Sequence, residues 1–285
     1  MPYITGWRIP YRCTSASFAF KMDLFYWIIG QGKPLVILHG LYGLSDNWLT
    51  IAKKLESNYT LIILDQRNHG QSPHSPDHTY QHMVNDLFEI TNKLKLNSFY
   101  LLGHSMGGRV AMLFQSQFPM KVEKLVVVDV APWNYSSEDE WFRSAYAEHM
   151  RIIEALKALK PEEIASRIDA DRVLQQNNLD ERLRNFLLKN LKRKSGGFEW
   201  QINLNALENN LEHILFGVEV NSSSASVADV LFIRGENSNY IPTYQVDRLK
   251  EVYPKCQVVS IPDAGHWVHA EKPQMFVSAV MSFLG

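Results

Sequence analysis

The stretch Gly103-His104-Ser105-Met106-Gly107 constrains this chain more than any other. Phe99 to Leu102, just before it, is wholly apolar or aromatic and reads as a buried strand. After it Val110, Ala111, Leu113 and Phe114 recur at helical spacing until Pro119 ends the pattern. G-x-S-x-G between a strand and a helix is the pattern of a nucleophile elbow. A serine on so tight a turn has a strained backbone, so its neighbours must be nearly free of side chains for strand and helix to approach. The turn lifts the Ser105 hydroxyl above the sheet and aims the Met106 amide at the same space. The alternative is an ordinary strand–glycine–helix connection with an incidental serine. The rest of the chain decides between them.

Six more apolar runs have strand length: Leu24–Ile29, Leu35–Leu38, Leu61–Leu64, Leu125–Val128, Val230–Ile233 and Val258–Ile261. Most are continuous rather than alternating, which indicates strands covered on both faces and hence a mostly parallel sheet with flanking helices. Helical patterns fill the gaps at Asn47–Leu55, Tyr80–Leu96, Gly107–Gln117, Pro242–Tyr253 and Pro273–Leu284. Asp46 is positioned to cap the first of these, with Trp48 and Leu49 on its inner face. The fold class is α/β, a doubly wound sheet.

Between Ala131 and Ala228 the alternation stops. Helical patterns at 137–159, 161–177, 180–192 and 201–215 follow one another, and the one short apolar run is at 214–218. Such an insertion reads as a helical cap over the carboxyl ends of the strands, where ligands bind in open α/β sheets. The division is therefore 22–131 with 229–285 as core and 132–228 as cap, with Ser222–Ser226 a flexible return. Residues 1–21 make a poor signal peptide and read as an extension outside the fold.

A serine hydroxyl needs a base, and the base needs an orienting group. His266 follows the strand Val258–Ile261 in Asp263-Ala264-Gly265-His266-Trp267, at the same end of the sheet as Ser105. His269 is its nearest rival but falls in the following helix. His69, His74, His78 and His82 lie in or beside loops and read as solvated, whereas His39 and His104 flank motif glycines and read as shaping the pocket floor. For the acid, Asp129 ends the strand Leu125–Val128, next to the nucleophile strand; Glu236, after Val230–Ile233, is the alternative. Either keeps the chain order serine, acid, histidine. An oxyanion hole needs two amide donors. Met106 supplies one, and Leu41 in His39-Gly40-Leu41-Tyr42-Gly43 is the natural second, unless that segment is a plain tight turn. In Asp65-Gln66-Arg67-Asn68-His69-Gly70-Gln71-Ser72 the charged Asp65 and Arg67 suggest a second site, against which the preferred reading is a structural loop supporting the strand before Leu41.

Composition removes other classes. With 285 residues and a formal net charge of −1, the chain has room for one large core and no basic field for nucleic acid. No apolar run approaches the roughly 18 residues a spanning helix needs, so no membrane insertion is expected. Cys13 and Cys256 are far apart and form no disulfide framework, which suits a reducing, cytoplasmic setting. No metal-ligand spacing and no phosphate-binding glycine motif occurs, so neither a metal nor a cofactor is implied.

The segments HGLYGLSDNW (39–48), DQRNHGQS (65–72), GHSMGGRVAM (103–112), VDVAPWNY (128–135), FEWQINLNAL (198–207), RGENSNYI (234–241) and DAGHWVHAEKP (263–273) together resemble the α/β-hydrolase superfamily. Within it they are most similar to the small bacterial YbfF-type esterases and their mitochondrial abhydrolase relatives, over nearly the whole chain from Met22. The resemblance implies an α/β-hydrolase fold, Ser105, Asp129 and His266 as a triad, and hydrolysis of acyl esters or acyl-CoA thioesters. Some relatives have an aspartate where this chain has Asn239; its absence favours Asp129. Trp133, Tyr135, Trp141 and His39 are candidate substrate-pocket residues, although the three aromatics could equally pack the cap onto the sheet. Two other readings keep the fold: a C–C bond hydrolase or lyase of the quinone-biosynthesis type, for which cap arginines such as Arg143, Arg167 or Arg182 would face an anionic substrate, and a ligand receptor with feeble turnover.

Overall fold

The computed structural model describes residues 22–220 and 228–285. The expectations for the leading segment 1–21 and for Ser222–Ser226 therefore lie outside the described residues. Seven strands form one sheet: β1 (Tyr26–Gly30), β2 (Lys33–Leu38), β3 (Tyr59–Leu64), β4 (Phe99–His104), β5 (Val122–Val128), β8 (Asp229–Gly235) and β9 (Gln257–Ile261), in the order β1-β3-β2-β4-β5-β8-β9. All neighbours pair in parallel except β1, which runs antiparallel to β3 at the edge.

Alternate residues of each inner strand serve opposite faces, which is why the runs are continuously apolar. Val36, Leu38, Ile62, Leu64, Leu101 and Val127 pack against α2 (Tyr80–Lys93) and α3 (Met106–Gln117). Leu35, Ile37, Leu61, Ile63, Leu102 and Val126 pack instead against α1 (Leu49–Leu55) and the last helix, Pro273–Leu284. The doubly wound α/β sheet read from the sequence is the architecture observed.

Differences are local. Asp46 is exposed inside a short 3-10 turn, Ser45–Trp48, and caps nothing; Trp48 is buried and precedes α1. The reason is that Asn47 caps this turn in its place, its side chain accepting from Leu44 N–H at 2.8 Å. The segment between β5 and β8 contributes α4 (Glu140–Ala158), α5 (Arg167–Gln176), α6 (Glu181–Leu187), α7 (Leu204–Asn209) and α8 (Leu211–Phe216). It also holds an antiparallel hairpin, β6 (Leu191–Lys194) with β7 (Gly197–Trp200), where the sequence suggested a helix ending and a break. Gly196 and Gly197 take φ of +87° and +147°, and this glycine pair supplies the hairpin turn. The apolar run at 214–218 belongs to α8 and its exit rather than to a strand.

Candidate active site

Three strand ends bring the site together. Ser105 follows β4 directly and its N–H still bonds Val128 O at 2.9 Å, continuing the ladder one residue past the strand. Its backbone sits at φ 52°, ψ −121°, a conformation that costs a non-glycine residue about 1–3 kcal/mol. The glycines make the turn possible. A Cβ on Gly103 would lie 2.2 Å from Gly107 O, and one on Gly107 would lie 2.5 Å from His39 O.

Asp129 occupies the corresponding place after β5, its N–H bonded to Ile233 O at 2.8 Å and its φ at 52°. Its side chain is fully buried. One carboxylate oxygen accepts from Gly235 N–H at 3.0 Å; the other accepts from the Ser238 hydroxyl and from His266 Nδ1, the latter at 2.8 Å. His266 Nε2 stands 3.0 Å from Ser105 Oγ. Since Nδ1 faces a carboxylate, the proton of neutral His266 is held there, and Nε2 is left to accept. The sequence-derived trio thus forms one continuous hydrogen-bonded path. Glu236 does not reach the imidazole; its carboxylate faces Asp263 N–H at the surface.

Sequence reasoning overlooked the groups that hold His266. Tyr240 lies flat on the imidazole, ring centres 3.8 Å apart and planes 16° apart, and Trp141 meets Tyr240 edge-on. His104 Nε2 donates to the His266 carbonyl at 2.9 Å. Burial first, then the neighbouring His266 and His269, hold the His104 pKa well below its usual value. It is therefore neutral. Tyr240 titrates only far above its usual range, because it is buried. An aromatic two residues after Ser238 was the available signal for it.

A cavity of about 240 Å³ opens onto Ser105, and Leu41, Met106, His104 and Trp141 line it. Met106 begins α3, so its N–H has no intrahelical acceptor. In the facing turn Gly43 N–H bonds Gly40 O and Tyr42 N–H bonds His69 Nε2, and Leu41 lies between them.

Two expected pocket residues sit elsewhere, and a third only supports the wall. His39 is buried outside the cavity because both ring nitrogens serve the backbone: Nδ1 donates to Gly40 O and Nε2 accepts from Gln66 N–H. Trp133 packs under the Arg248 guanidinium, 4.4 Å away. Tyr135 lines a separate shallow hollow and stacks behind Trp141 at 4.1 Å. His69 and His78 are also buried rather than solvated. The 65–72 loop folds inward, and His69 Nε2 is spent on Tyr42 N–H while Asn68 faces His78 Nδ1. That loop also docks the inserted segment, through Asn203 N–H to Asn68 O and the His69–Ile202 bridge.

Arg143, Arg167 and Arg182 line no part of the cavity. Arg167 binds the carbonyls of Leu188 and Leu191, and Arg182 pairs with Glu271. The arginine that does line it is Arg109, on α3.

A serine, an aspartate and a histidine after the ends of three parallel strands, β4, β5 and β9, of a doubly wound sheet match a hydrolase arrangement. The chain matches the alpha/beta hydrolase fold family over residues 33–273 and belongs to it. It is 37% identical over 262 residues to sn-1-specific diacylglycerol lipase ABHD11 of Danio rerio, spanning 90% of this chain and 79% of that protein. Esterase YbfF of Escherichia coli (strain K12) is 32% identical over 254 residues, 89% of this chain and 94% of that one. A solved structure described as a marine microorganism esterase is 39% identical, with a TM-score of 0.84 over 92% of this chain and 99% of that chain. The chain is accordingly an enzyme, a hydrolase of the esterase type, similar to YbfF and to the abhydrolase-domain proteins. No helix among the described residues is long and apolar enough to cross a membrane.

Proposed function

We propose that the enzyme cleaves carboxylic esters or acyl thioesters through an acyl-enzyme formed on Ser105. The observation that carries this reading is the path from Ser105 Oγ through His266 to Asp129, with links of 3.0 and 2.8 Å. In it, His266 Nε2 takes the hydroxyl proton as Ser105 Oγ attacks the acyl carbonyl. The amides of Leu41 and Met106 receive the oxyanion. The tetrahedral adduct collapses, and the departing alcohol or thiol leaves with the proton from His266. Water then attacks the acyl-enzyme, His266 again acting as base, and the free acid is released. Asp129 fixes the imidazole tautomer and stabilises its charged form.

Residues 132–228 act in this reading as the cap over a core of 22–131 and 229–285, with Trp141 on the wall of the acyl pocket. The cavity of about 240 Å³ is small beside typical ligand sites, which favours a short acyl group. Cys256 is a free thiol among the described residues, in keeping with a reducing cytoplasmic setting. The test is hydrolysis of p-nitrophenyl esters and acyl-CoAs of increasing length by the wild type and by Ser105→Ala. Turnover with a chain-length optimum, abolished in the variant, is expected. A well-folded wild type that turns over none of them refutes the reading.

A further inference from the structure

Tyr42, the residue after Leu41, sits at φ 60°, an outlying left-handed conformation for a bulky side chain. Such a residue persists only where its surroundings over-determine it. Here they do. The Tyr42 carbonyl accepts from Asn190 Nδ2 at 2.7 Å. Its hydroxyl lies 3.2 Å from His149 Nδ1, on α4, and 3.5 Å from the His149 carbonyl. Its amide donates to His69 Nε2, in the loop bridged to Ile202. Among the described residues, every hydrogen bond of Tyr42 therefore runs to the segment inserted between β5 and β8 or to the loop that docks it.

Asn190 is the strongest of these anchors. It is 1% exposed and ends the turn Leu188–Asn190, and its own carbonyl accepts from Gln201 N–H at 2.8 Å, which ties it to the β6–β7 hairpin. Its Nδ2 also donates to Leu187 O at 3.2 Å, and two carbonyl acceptors identify that atom as the nitrogen. The Oδ1 atom is buried with no partner, a cost that a side chain chosen for packing alone would not carry. What the amide nitrogen holds is the carbonyl one residue beyond the Leu41 amide.

We propose that Asn190 is a positioning residue for the oxyanion hole: by fixing the Tyr42 carbonyl it keeps the Leu41 N–H aimed at the space above Ser105. The inference rests on the acyl-transfer reading above, in which that amide receives the oxyanion. Without the Asn190 bond, Tyr42 relaxes toward negative φ, the turn closed by Gly43 N–H on Gly40 O loosens, and the donor swings away. The inserted segment thus completes the catalytic centre as well as walling the cavity, because the hole is assembled only while that segment is docked.

The test measures p-nitrophenyl butyrate hydrolysis and inhibition by butyl trifluoromethyl ketone, whose hemiketal with Ser105 places an oxyanion in the hole. Asn190→Ala and the isosteric Asn190→Asp are expected to lower kcat/KM by about 10- to 100-fold, short of deleting a donor outright. Inhibitor affinity should fall by the same factor, while the pH profile set by His266 stays unchanged. A merely structural tie would lower the melting temperature and leave kcat/KM and inhibitor affinity within about threefold of wild type, and that result overturns the proposal. So does a fall in kcat/KM with inhibitor affinity unmoved. Tyr42→Phe deletes one atom and decides the matter if neither Asn190 variant folds: a parallel loss of about two- to fivefold in both quantities is expected, and no change in either refutes the proposal. Turnover that is lost in Ser105→Ala but indifferent to Asn190 removes this inference alone, whereas a wild type with no turnover and no inhibitor binding removes the esterase reading and this inference with it.

Discussion

Lowering the pH from 7.5 to 5 should destabilise this protein severely, because it buries histidines in their neutral form. His78 and His269 are almost wholly buried, and burial is the leading cause that takes the pKa of each from 6.5 to about 3. The Arg67 charge adds to the effect at His78, and His266 adds to it at His269. The unfolded chain takes up protons at these positions from about pH 6.5 downward, whereas the folded chain refuses them until about pH 3. Their contribution is therefore fully present above pH 6.5 and is lost progressively between 6.5 and 3. At pH 5 each histidine is about 1.5 units below its unfolded value, which costs about 2 kcal/mol, or about 4 kcal/mol for the pair. His39, His69 and His104 shift in the same direction, also chiefly through burial. At His39 and His69 the geometry explains why: Nε2 of each accepts a backbone N–H, so a proton there would face a donor. Asp86 opposes the trend, since burial raises its pKa while the Arg67 guanidinium partly offsets that. Against a typical total of about 5–15 kcal/mol, the loss removes a large part of the stability. Urea unfolding followed by tryptophan fluorescence at pH 7.5, 6.5, 5.5 and 5 measures it, with His78→Asn expected to reduce the difference by about 2 kcal/mol. A loss below about 1 kcal/mol across the range would refute the assignment of these histidines as neutral.

Further outcomes follow from the site. Asp129→Asn should cut kcat by about 10⁴ with little change in KM, whereas Glu236→Gln should change it less than about twofold; steady-state kinetics on a p-nitrophenyl ester distinguishes them, and equal effects would contradict the acid assignment. Tyr240→Ala removes the ring that lies 3.8 Å from His266 and should lower kcat by about two- to tenfold, the scale of one aromatic pair, with Tyr240→Phe near wild type. Gly107→Ala would place a methyl group 2.5 Å from His39 O. Loss of soluble, active protein is expected, and a variant with normal melting temperature and activity would show that the elbow tolerates a side chain.

What was legible in the sequence is what one residue type must satisfy alone. Continuous apolar runs such as Leu35–Leu38 announce strands covered on both sides, and Ser105 between glycines announces a turn that no other packing allows. Asp129 and His266 could be chosen because each ends or follows such a strand. The pocket residues were harder to place, because their roles depend on partners distant in sequence. His39 looks like a pocket residue until Gln66 claims its Nε2. His69 and His78 look solvated until the 65–72 loop folds inward under the inserted segment. Arg109 carries no role in the sequence, and its tie to the carbonyls of Ile214 and Leu215 appears only when α8 covers it from more than a hundred residues away. The β6–β7 hairpin was hidden because Leu191–Lys194 is short and mostly exposed, without the apolar alternation that marks a strand.

The central claim is that Ser105 is the group acylated during turnover. It is tested most directly by incubating the folded protein with a fluorophosphonate or p-nitrophenyl phosphonate and locating the adduct by peptide mass spectrometry. The account predicts one adduct, on Ser105, formed in proportion to the loss of esterase activity and strongly slowed in His266→Ala. Esterase activity that survives full exposure with Ser105 unmodified, or an adduct on another residue that tracks the loss, would contradict it.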